Sequence, residues 1–450
     1  MPLDPVHLDG IDDLARRITA RYADEEHEAD AVALWEALDP LRVDGEVVVE
    51  PLDGLHRGRV APEAIALTDD RFGRQYGVDS GTLNPRRFAN GLTVDVAHAA
   101  LAGVPSDLDL HRRRTVVTAV HARDATLRLD DDWQRFDDDH TRGRLVHVPS
   151  DLSAGEREAV HAAALYCAES RHLLDNLDAV AATDGRSEGN DEGDDGRDDA
   201  PEHGDGAPLV VLDGPVQPRG AVRWTAGDDA LADSELADRV LRQYTAVVDG
   251  CVDRGLPLAG FVKNPASRGI VALLSRVGPC PWPTDVGFWR ALLRPGSGAD
   301  GDGGRRADTG GGAGADDGGE GPHLTFTNWF ATSLFAEDDE LHSTTDWTRE
   351  PALDDGDYAT TYMVVYDPRD DLVYRAEAPR AVTADTDVRE RLTRQVLKEV
   401  ALEGVPRAVG KADALARIGV DQKRDLVRAL ERALDTVEQR SYDDERWRVA

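Results

Sequence analysis

Short apolar runs alternate with longer segments of helical spacing along the chain. Runs with the length of strands lie at 74–80, 90–97, 115–121, 208–213 and 258–263. The first three follow one another closely, and turn-forming pairs such as Asn90-Gly91 separate the first from the second, which predicts an antiparallel meander. The last two flank a helical stretch, and this order predicts parallel pairing in an α/β unit.

In the longer segments, apolar residues recur at intervals of three and four, which predicts helices. These segments are 9–39, 153–180, 229–254, 385–403, 410–418 and 421–438. Ser153 followed by Glu156 predicts a capping box at the start of the second of them. A further strand is predicted at 323–335, and a hairpin from 358–366 and 371–377.

Two low-complexity segments interrupt this pattern at 183–206 and 296–321. They consist mainly of Asp, Gly and other polar residues and cannot bury a core, so we predict disordered inserts. Too few elements lie on either side of each insert to close a core alone, so the inserts interrupt one domain. We therefore predict an N-terminal helical arm at 1–69, a single domain at 70–440 and a C-terminal tail at 441–450.

The order of the elements predicts the fold class. A three-stranded meander, a helix, a strand, a helix and another strand is the order of an RNase H-like fold, an α/β fold with a mixed sheet and flanking helices. In such a sheet the first strand is central, so 74–80 should lie beside 208–213. The helix at 153–180 should pack on one face.

The charge balance limits what any single acidic residue can indicate. The chain has 87 Asp and Glu against 52 Lys and Arg, a net charge of −35, and only four of its basic residues are lysines. Extreme acidity with little lysine is typical of cytosolic proteins of salt-accumulating halophiles, where the Debye length is about 3 Å or less. We expect a cytoplasmic haloarchaeal protein.

Several classes of protein are not favoured by the sequence. Cys167, Cys251 and Cys280 are odd in number and widely spaced, so neither a disulfide framework nor a zinc site is expected. No apolar run approaches the roughly 18 residues of a membrane span, and the N-terminus has no signal-peptide pattern.

Asp79 and Asp213 are the strongest candidate site residues, because each ends an apolar strand and precedes a glycine-containing turn. The segments are Gly77-Val78-Asp79-Ser80-Gly81 and Val211-Leu212-Asp213-Gly214-Pro215. Carboxylates on two adjacent strand ends can hold divalent cations, and two ions about 4 Å apart promote hydrolysis of a phosphodiester. The alternative for each residue is an Asp that only bonds the backbone of its own turn.

Two further residues are candidates because their surroundings are unusual. Glu169 lies in a mostly apolar part of the helix at 153–180, so it can face the buried side and act as a third acid. The alternative is a solvent-facing Glu paired with Arg171 or His172. Lys263, a rare lysine at a strand end, suits contact with a scissile phosphate, the alternative being a surface lysine.

These motifs, in this order, resemble those of the archaeal NurA nucleases. The motifs are Gly77-Val78-Asp79-Ser80-Gly81, the Glu169 helix, Val210-Val211-Leu212-Asp213-Gly214, Gly260-Phe261-Val262-Lys263, and Gly404-Val405-Pro406 leading to Lys411-Ala412-Asp413. The resemblance extends from about residue 70 to 440, with the two acidic inserts as departures.

The resemblance implies a manganese-dependent nuclease of RNase H-like fold that forms a homodimer and resects DNA double-strand breaks with the hexameric HerA ATPase. It implies Asp79, Glu169 and Asp213 as ligands of Mn²⁺ or Mg²⁺, with two ions bound. The family's last motif usually contains a histidine. Here Asp413 lies in that neighbourhood and is a candidate oxygen ligand, the alternative being a surface acid.

DNA binding must be local in so acidic a protein, because a charge of −35 repels DNA and salt weakens phosphate contacts. The candidate DNA-contacting residues are the basic clusters nearest the site in sequence, together with Lys263. They are Arg86, Arg87, Arg112, Arg113, Arg114, Arg219 and Lys263. Arginine can contact phosphate through two parallel hydrogen bonds. The alternative for each is a surface arginine that balances nearby acids.

Two other functions remain compatible with the sequence. One is a non-catalytic acidic protein, either a scaffold for a motor ATPase or a DNA mimic. The other is a different RNase H-like nuclease that acts on RNA or branched DNA. Convergence of the three candidate carboxylates would favour the enzyme.

Overall fold

A computed structural model describes most of the chain. It covers residues 4–19, 24–122, 132–136, 138, 140–148, 154–182, 206–226, 235–265, 267–295, 321–337 and 340–439. The predicted inserts lie outside these residues except for their last positions, 206 and 321, and so does the predicted tail. Ser153 of the predicted capping box also lies outside them.

The strands are β1 (Leu41–Val43), β2 (Glu46–Pro51), β3 (Arg57–Val60), β4 (Gln75–Thr82), β5 (Arg86–Arg87), β6 (Thr93–Val104), β7 (Arg114–His121), β8 (Gln134–Arg135), β9 (Thr141–Val148), β10 (Leu209–Asp213), β11 (Leu258–Val262), β12 (Leu324–Thr327), β13 (Phe330–Thr332), β14 (Leu334–Glu337), β15 (Glu340–Ser343), β16 (Thr360–Asp367) and β17 (Leu372–Pro379). The helices are α1 (Pro5–Thr19), α2 (Asp24–Glu36), α3 (Pro62–Ala66), α4 (Ala154–Leu174), α5 (Leu177–Ala181), α6 (Arg219–Ala226), α7 (Glu235–Asp253), α8 (Gly269–Leu274), α9 (Asp285–Leu293), α10 (Arg380–Thr383), α11 (Thr386–Glu403), α12 (Arg407–Ala416) and α13 (Val420–Ala433).

The chain forms two compact units. The first comprises Met1–Ala61, Asn264–Ser343 and Met363–Arg375, and the second comprises Pro62–Lys263, Thr344–Tyr362 and Ala376–Ala450. In the first unit β2 pairs antiparallel with β1 and β13, and β3 with β12. Buried aromatic residues, among them Trp289 and Phe330, form its core.

The second unit contains the predicted mixed sheet. Its strands run in the order β11, β10, β4, β6, β7, β9, β8. β4, β6 and β7 form the predicted antiparallel meander, and β10 lies parallel to both β4 and β11. Helix α4 packs on β4, β6 and β7, and α12 packs on β4, β6 and β10. The prediction of a central first strand beside the strand that ends at Asp213 is therefore confirmed.

Several predicted elements need correction. The second strand, predicted at 90–97, is the longer strand β6. The second half of β6 is rich in alanine, which has a low strand propensity, but its small side chains fit between α4 and α12. The predicted strand at 323–335 is divided among β12, β13 and β14. Strand β9, parallel to β7, and helix α6 were not predicted.

The predicted helix at 153–180 breaks at Asn176. The amide of the Asn176 side chain donates to the carbonyl of His172 at 2.7 Å, a bond that competes with continuation of the helix. The chain therefore turns after α4 and begins the separate helix α5.

The hairpin β16–β17 and the C-terminal helices α11, α12 and α13 lie close to their predicted positions. In the described part of the chain, no helix is both long enough and apolar enough to span a membrane.

Candidate functional site

The central strand β4 carries glycines where helix α12 approaches it. A Cβ atom on Gly77 would lie 2.3 Å from the carbonyl carbon of Ala408, and one on Gly81 would lie 1.9 Å from the carbonyl oxygen of Ala416. Because side chains alternate along a strand, Asp79 lies between these glycines on the α12 face. Ser80 therefore lies on the opposite face, which packs against α4.

Asp79 is nearly buried, with 8% of its surface exposed. Its Oδ1 accepts a hydrogen bond from the backbone N–H of Ser80 at 2.7 Å. Burial, and after it the neighbouring Asp213 carboxylate, raises the pKa of Asp79 to about 7. Two acids that repel each other in this way are stabilised by a nearby cation.

Asp213 ends β10, the strand parallel to β4, so the two carboxylates lie at the same end of adjacent strands. Its Oδ2 accepts from the ammonium of Lys263 at 2.7 Å. Gly214 has a φ of +129°, which a residue with a side chain rarely adopts. A Cβ atom on Gly260 of β11 would lie 2.5 Å from the Gly214 carbonyl oxygen, so the turn after Asp213 packs closely on the next strand.

Glu377 binds the turn that follows Asp213. It is fully buried, and one of its oxygens accepts from the backbone N–H of Val216 at 3.2 Å. Its other oxygen accepts from the guanidinium of Arg219 at 2.8 Å. The sequence reasoning missed Glu377, although an acid inside the apolar strand β17 is a signal for a buried polar role.

Glu169 approaches β4 from the α4 face. It accepts a short hydrogen bond from the hydroxyl of Ser80, the residue next to Asp79. Burial raises the pKa of Glu169 to about 8, and the Asp79 and Asp213 carboxylates also raise it. Glu169 thus faces the protein interior and the other two acids, as predicted, but Ser80 as its partner was not predicted.

Asp413 lies on α12, and its carboxylate is close enough to Asp79 to raise the pKa of that residue slightly. Its Oδ2 also forms an ion pair with Arg417, one helical turn later, at 2.7 Å. Asp413 therefore lies on the Asp79 face of the sheet, while its known partner is a surface arginine.

The candidate acids raise the pKa of Asp79 and Glu169, but within the described part of the chain they do not form a group that could hold a metal ion. Among the residues that the structure describes, no three His, Cys, Asp or Glu side chains are grouped closely enough to hold a metal ion. Lys263 is bound to Asp213, and Ser80 is bound to Glu169. The roles of Asp79, Glu169, Asp213, Lys263 and Asp413 remain predictions, but the donor set consists of hard oxygen atoms that suit Mn²⁺ or Mg²⁺.

The predicted DNA-contacting arginines have different surroundings. Arg86 pairs with Glu438 at 3.1 Å, and Arg87 and Arg112 are exposed. Arg219 is held by buried Glu377, so a DNA contact through this guanidinium would have to share or break that ion pair. Arg113 and Arg114 line a pocket beside α4.

Comparisons with known proteins place the chain in a family. The family model of the NurA domain matches residues 73–418. The solved structure of the NurA nuclease from Sulfolobus solfataricus is similar with 10% sequence identity and a TM-score of 0.42, over 83% of this chain and 90% of that one. A structure of NurA with manganese is similar with 10% identity and a TM-score of 0.39, over 95% of this chain and 98% of that one.

None of the curated proteins compared with the chain matches it. The family match alone spans the second unit's central sheet and all of the candidate acids. The chain belongs to the NurA domain family, which is a family of nucleases.

Proposed function

We propose that the chain is a metal-dependent DNA nuclease with 5′–3′ exonuclease and single-strand endonuclease activity. The observation that carries this proposal is the pair Asp79 and Asp213. The two carboxylates lie at the same end of adjacent parallel strands, and burial together with repulsion from Asp213 raises the pKa of Asp79 to about 7. A divalent cation bound between two such carboxylates would relieve their repulsion.

The proposed ligands of two Mn²⁺ or Mg²⁺ ions are Asp79, Asp213 and Glu169. When bound, such ions polarise the phosphodiester and activate a water molecule. Asp79 and Asp213 are fixed by their strands, whereas Glu169 depends on the position of α4. Asp413 is the proposed fourth acid, because it approaches Asp79 from α12.

Lys263 is proposed to contact the scissile phosphate. In the structure its ammonium neutralises Asp213 at 2.7 Å, and the side chain is 39% exposed, so it can reach a ligand from the strand end. A phosphate bound beside Asp213 would exchange one anionic partner of Lys263 for another without the cost of burying a new charge.

The proposed setting is end resection of DNA double-strand breaks in the cytoplasm of a halophile. The proposed partners are a HerA-type hexameric ATPase and a second copy of this chain. The net charge of −35 supports delivery of DNA by a partner, because long-range attraction of DNA to the isolated protein is excluded. The homodimer is proposed to enclose a channel lined by arginines and Lys263.

A digestion assay in molar KCl tests the function. Linear duplex and single-stranded DNA are incubated with the protein, with and without the ATPase, in Mn²⁺, in Mg²⁺ and with excess chelator. We expect cleavage that requires the metal and increases with the ATPase. Equal cleavage in excess chelator would contradict the proposal. Binding of the ATPase without any cleavage would favour a non-catalytic scaffold.

A further inference from the structure

A basic pocket of about 230 Å³ lies on the α4 face of the central sheet. Four arginines line it, namely Arg113, Arg114, Arg135 and Arg142. In a chain where acids outnumber bases by 87 to 52, such a concentration of guanidinium groups is a local reversal of charge. Pockets of this kind bind anions.

The arginines of the pocket are only partly neutralised by the protein. Arg142 pairs with Asp175 at 2.9 Å, but Asp175 also pairs with Arg171 at 2.7 Å. Arg113 donates instead to the neutral Asn176 side chain at 2.7 Å. A bound anion would therefore complete the charge balance of this pocket.

His172 forms part of the inner wall of the pocket. It is 1% exposed, its Nδ1 lies 3.0 Å from the Thr115 hydroxyl, and its Nε2 has no hydrogen-bond partner among the described residues. If the Thr115 hydroxyl donates to Nδ1, the ring carries its proton on Nε2. A buried donor of this kind costs stability until an acceptor binds to it.

The register of the sheet places the pocket beside the candidate acids. Ser80 pairs with Ala99 of β6, and Ala99 pairs with Thr115 of β7. Thr115 therefore lies two strands away from Ser80, a distance of about 10 Å. On α4, His172 follows Glu169 by three residues, so the bonds Glu169–Ser80 and His172–Thr115 are one helical turn apart on the same face.

We infer that this pocket binds the terminal phosphate of the DNA strand that is being cut, which for 5′–3′ polarity is the 5′-phosphate. This inference rests on the proposed nuclease function. Buried Thr115 and His172 close the inner side of the pocket, so it suits a chain end better than a phosphodiester with nucleotides on both sides. A terminal monoester also carries more negative charge than a diester and matches the arginines better.

The test measures binding without metal, so that it does not depend on cleavage. Asp213→Asn protein is titrated with a short single strand that ends in a 5′-phosphate, a 5′-hydroxyl or a 3′-phosphate, at a KCl concentration where the protein is folded. We expect the 5′-phosphate to bind roughly tenfold or more tightly than the 5′-hydroxyl, as for loss of one charge-assisted hydrogen bond. Inorganic phosphate should compete with the 5′-phosphorylated strand.

Matched variants assign the preference to the pocket. In the same background, Arg113→Gln and Arg135→Gln should reduce the ratio of the two affinities towards one. Arg424→Gln, with the same charge change at an exposed residue of α13, should leave the ratio unchanged. Arg135 is exposed on β8, so its replacement tests the pocket even if Arg113→Gln lowers the thermal midpoint.

Three results would overturn the inference. They are equal affinity for the two 5′ ends, a preference for the 3′-phosphate, and an equal loss of preference in Arg424→Gln and Arg113→Gln. Competition by inorganic phosphate without discrimination between strand ends would show a site for free phosphate and would also overturn it. Absence of cleavage in wild type, by contrast, would contradict only the nuclease function, because the binding measurement uses no metal.

Discussion

The candidate acids and the basic pocket share one sheet and one helix, yet they hold charge in opposite ways. Around Asp79, burial and a second carboxylate raise the pKa, and the backbone N–H of Ser80 and the ammonium of Lys263 compensate only in part. Around His172, burial and then two arginines, Arg114 and Arg113, lower the pKa of the imidazole to about 3. The first region has uncompensated negative charge, and the second has uncompensated positive charge.

This contrast shows that net charge does not predict what a local surface binds. Long-range attraction is screened at high salt, whereas groups in contact and shielded from solvent continue to interact. A phosphodiester substrate with bound divalent cations supplies both kinds of charge. An acidic and a basic region about 10 Å apart therefore suit a short stretch of DNA backbone with its bound cations.

Replacing the candidate acids should have the largest effect on activity. Asp79→Asn or Asp213→Asn should abolish cleavage. The thermal midpoint without metal should stay unchanged or rise slightly, because one of several repelling carboxylates is removed. Asp178→Asn, with the same charge change at an exposed residue of α5, is the control and should cleave normally. Full activity of Asp213→Asn would remove Asp213 from the site.

Lys263 is a cation within the acidic region, where it pairs with Asp213. Lys263→Gln should lower kcat by about 10²–10³, as for loss of one preorganised electrostatic contact. It should also tighten Mn²⁺ binding, because a competing positive charge beside Asp213 is removed. Calorimetry of Mn²⁺ binding and single-turnover cleavage measure the two effects separately. Weaker Mn²⁺ binding together with normal cleavage would show that Lys263 only supports the structure.

The packing of the Asp79 strand on α12 can be tested by a pair of glycine substitutions. Gly77→Ala should lower the free energy of unfolding by about 1–3 kcal/mol, because its Cβ would lie 2.3 Å from the α12 backbone. Gly410→Ala, in α12 with open space around its Cβ position, should be neutral or stabilise by up to about 1 kcal/mol. Denaturant unfolding compares the two variants. Equal effects would mean that β4 and α12 do not pack closely.

The sequence predicted those parts of the fold that depend on local pattern. The meander, the strand ending at Asp213 and the parallel strand β11 follow from apolar runs and the turns between them, and the order of these elements places Asp79 beside Asp213. Strand β6 was predicted too short, because alanine has a low strand propensity. Its alanines fit this strand because helices α4 and α12 pack on it and leave room only for small side chains.

The contacts that complete the site depend on residues far apart in sequence. Ser80 meets Glu169 across 89 positions, and Glu377 supports the Asp213 turn from a strand more than 150 positions away. Strand alternation would have placed Ser80 opposite Asp79, but not against a particular helix residue. The basic pocket was only partly visible, because Arg113 and Arg114 were singled out while Arg142 and His172 join them through tertiary structure.

The pH dependence of stability tests the surroundings of His172, and it is measured by comparing wild type with His172→Gln. The imidazole faces Arg113, Arg114 and His98, and its folded pKa of about 3 lies below the ordinary value of 6.5. Between these values the unfolded chain binds a proton that the folded protein does not, so the free energy of unfolding rises with pH through this window and its contribution is complete above pH 6.5.

As pH falls below 6.5, wild type should therefore lose up to about 1.4 kcal/mol of stability per pH unit through His172 alone. His172→Gln keeps a polar partner for Thr115 but has no group to protonate, and all other titrating groups are common to both proteins. The difference in the free energy of unfolding, wild type minus variant, should thus decrease from pH 7 to pH 5 in denaturant titrations. A difference that does not change with pH would mean that His172 takes up a proton as easily in the folded protein as in the unfolded chain. The region around His172 would then carry no uncompensated positive charge that disfavours the imidazolium.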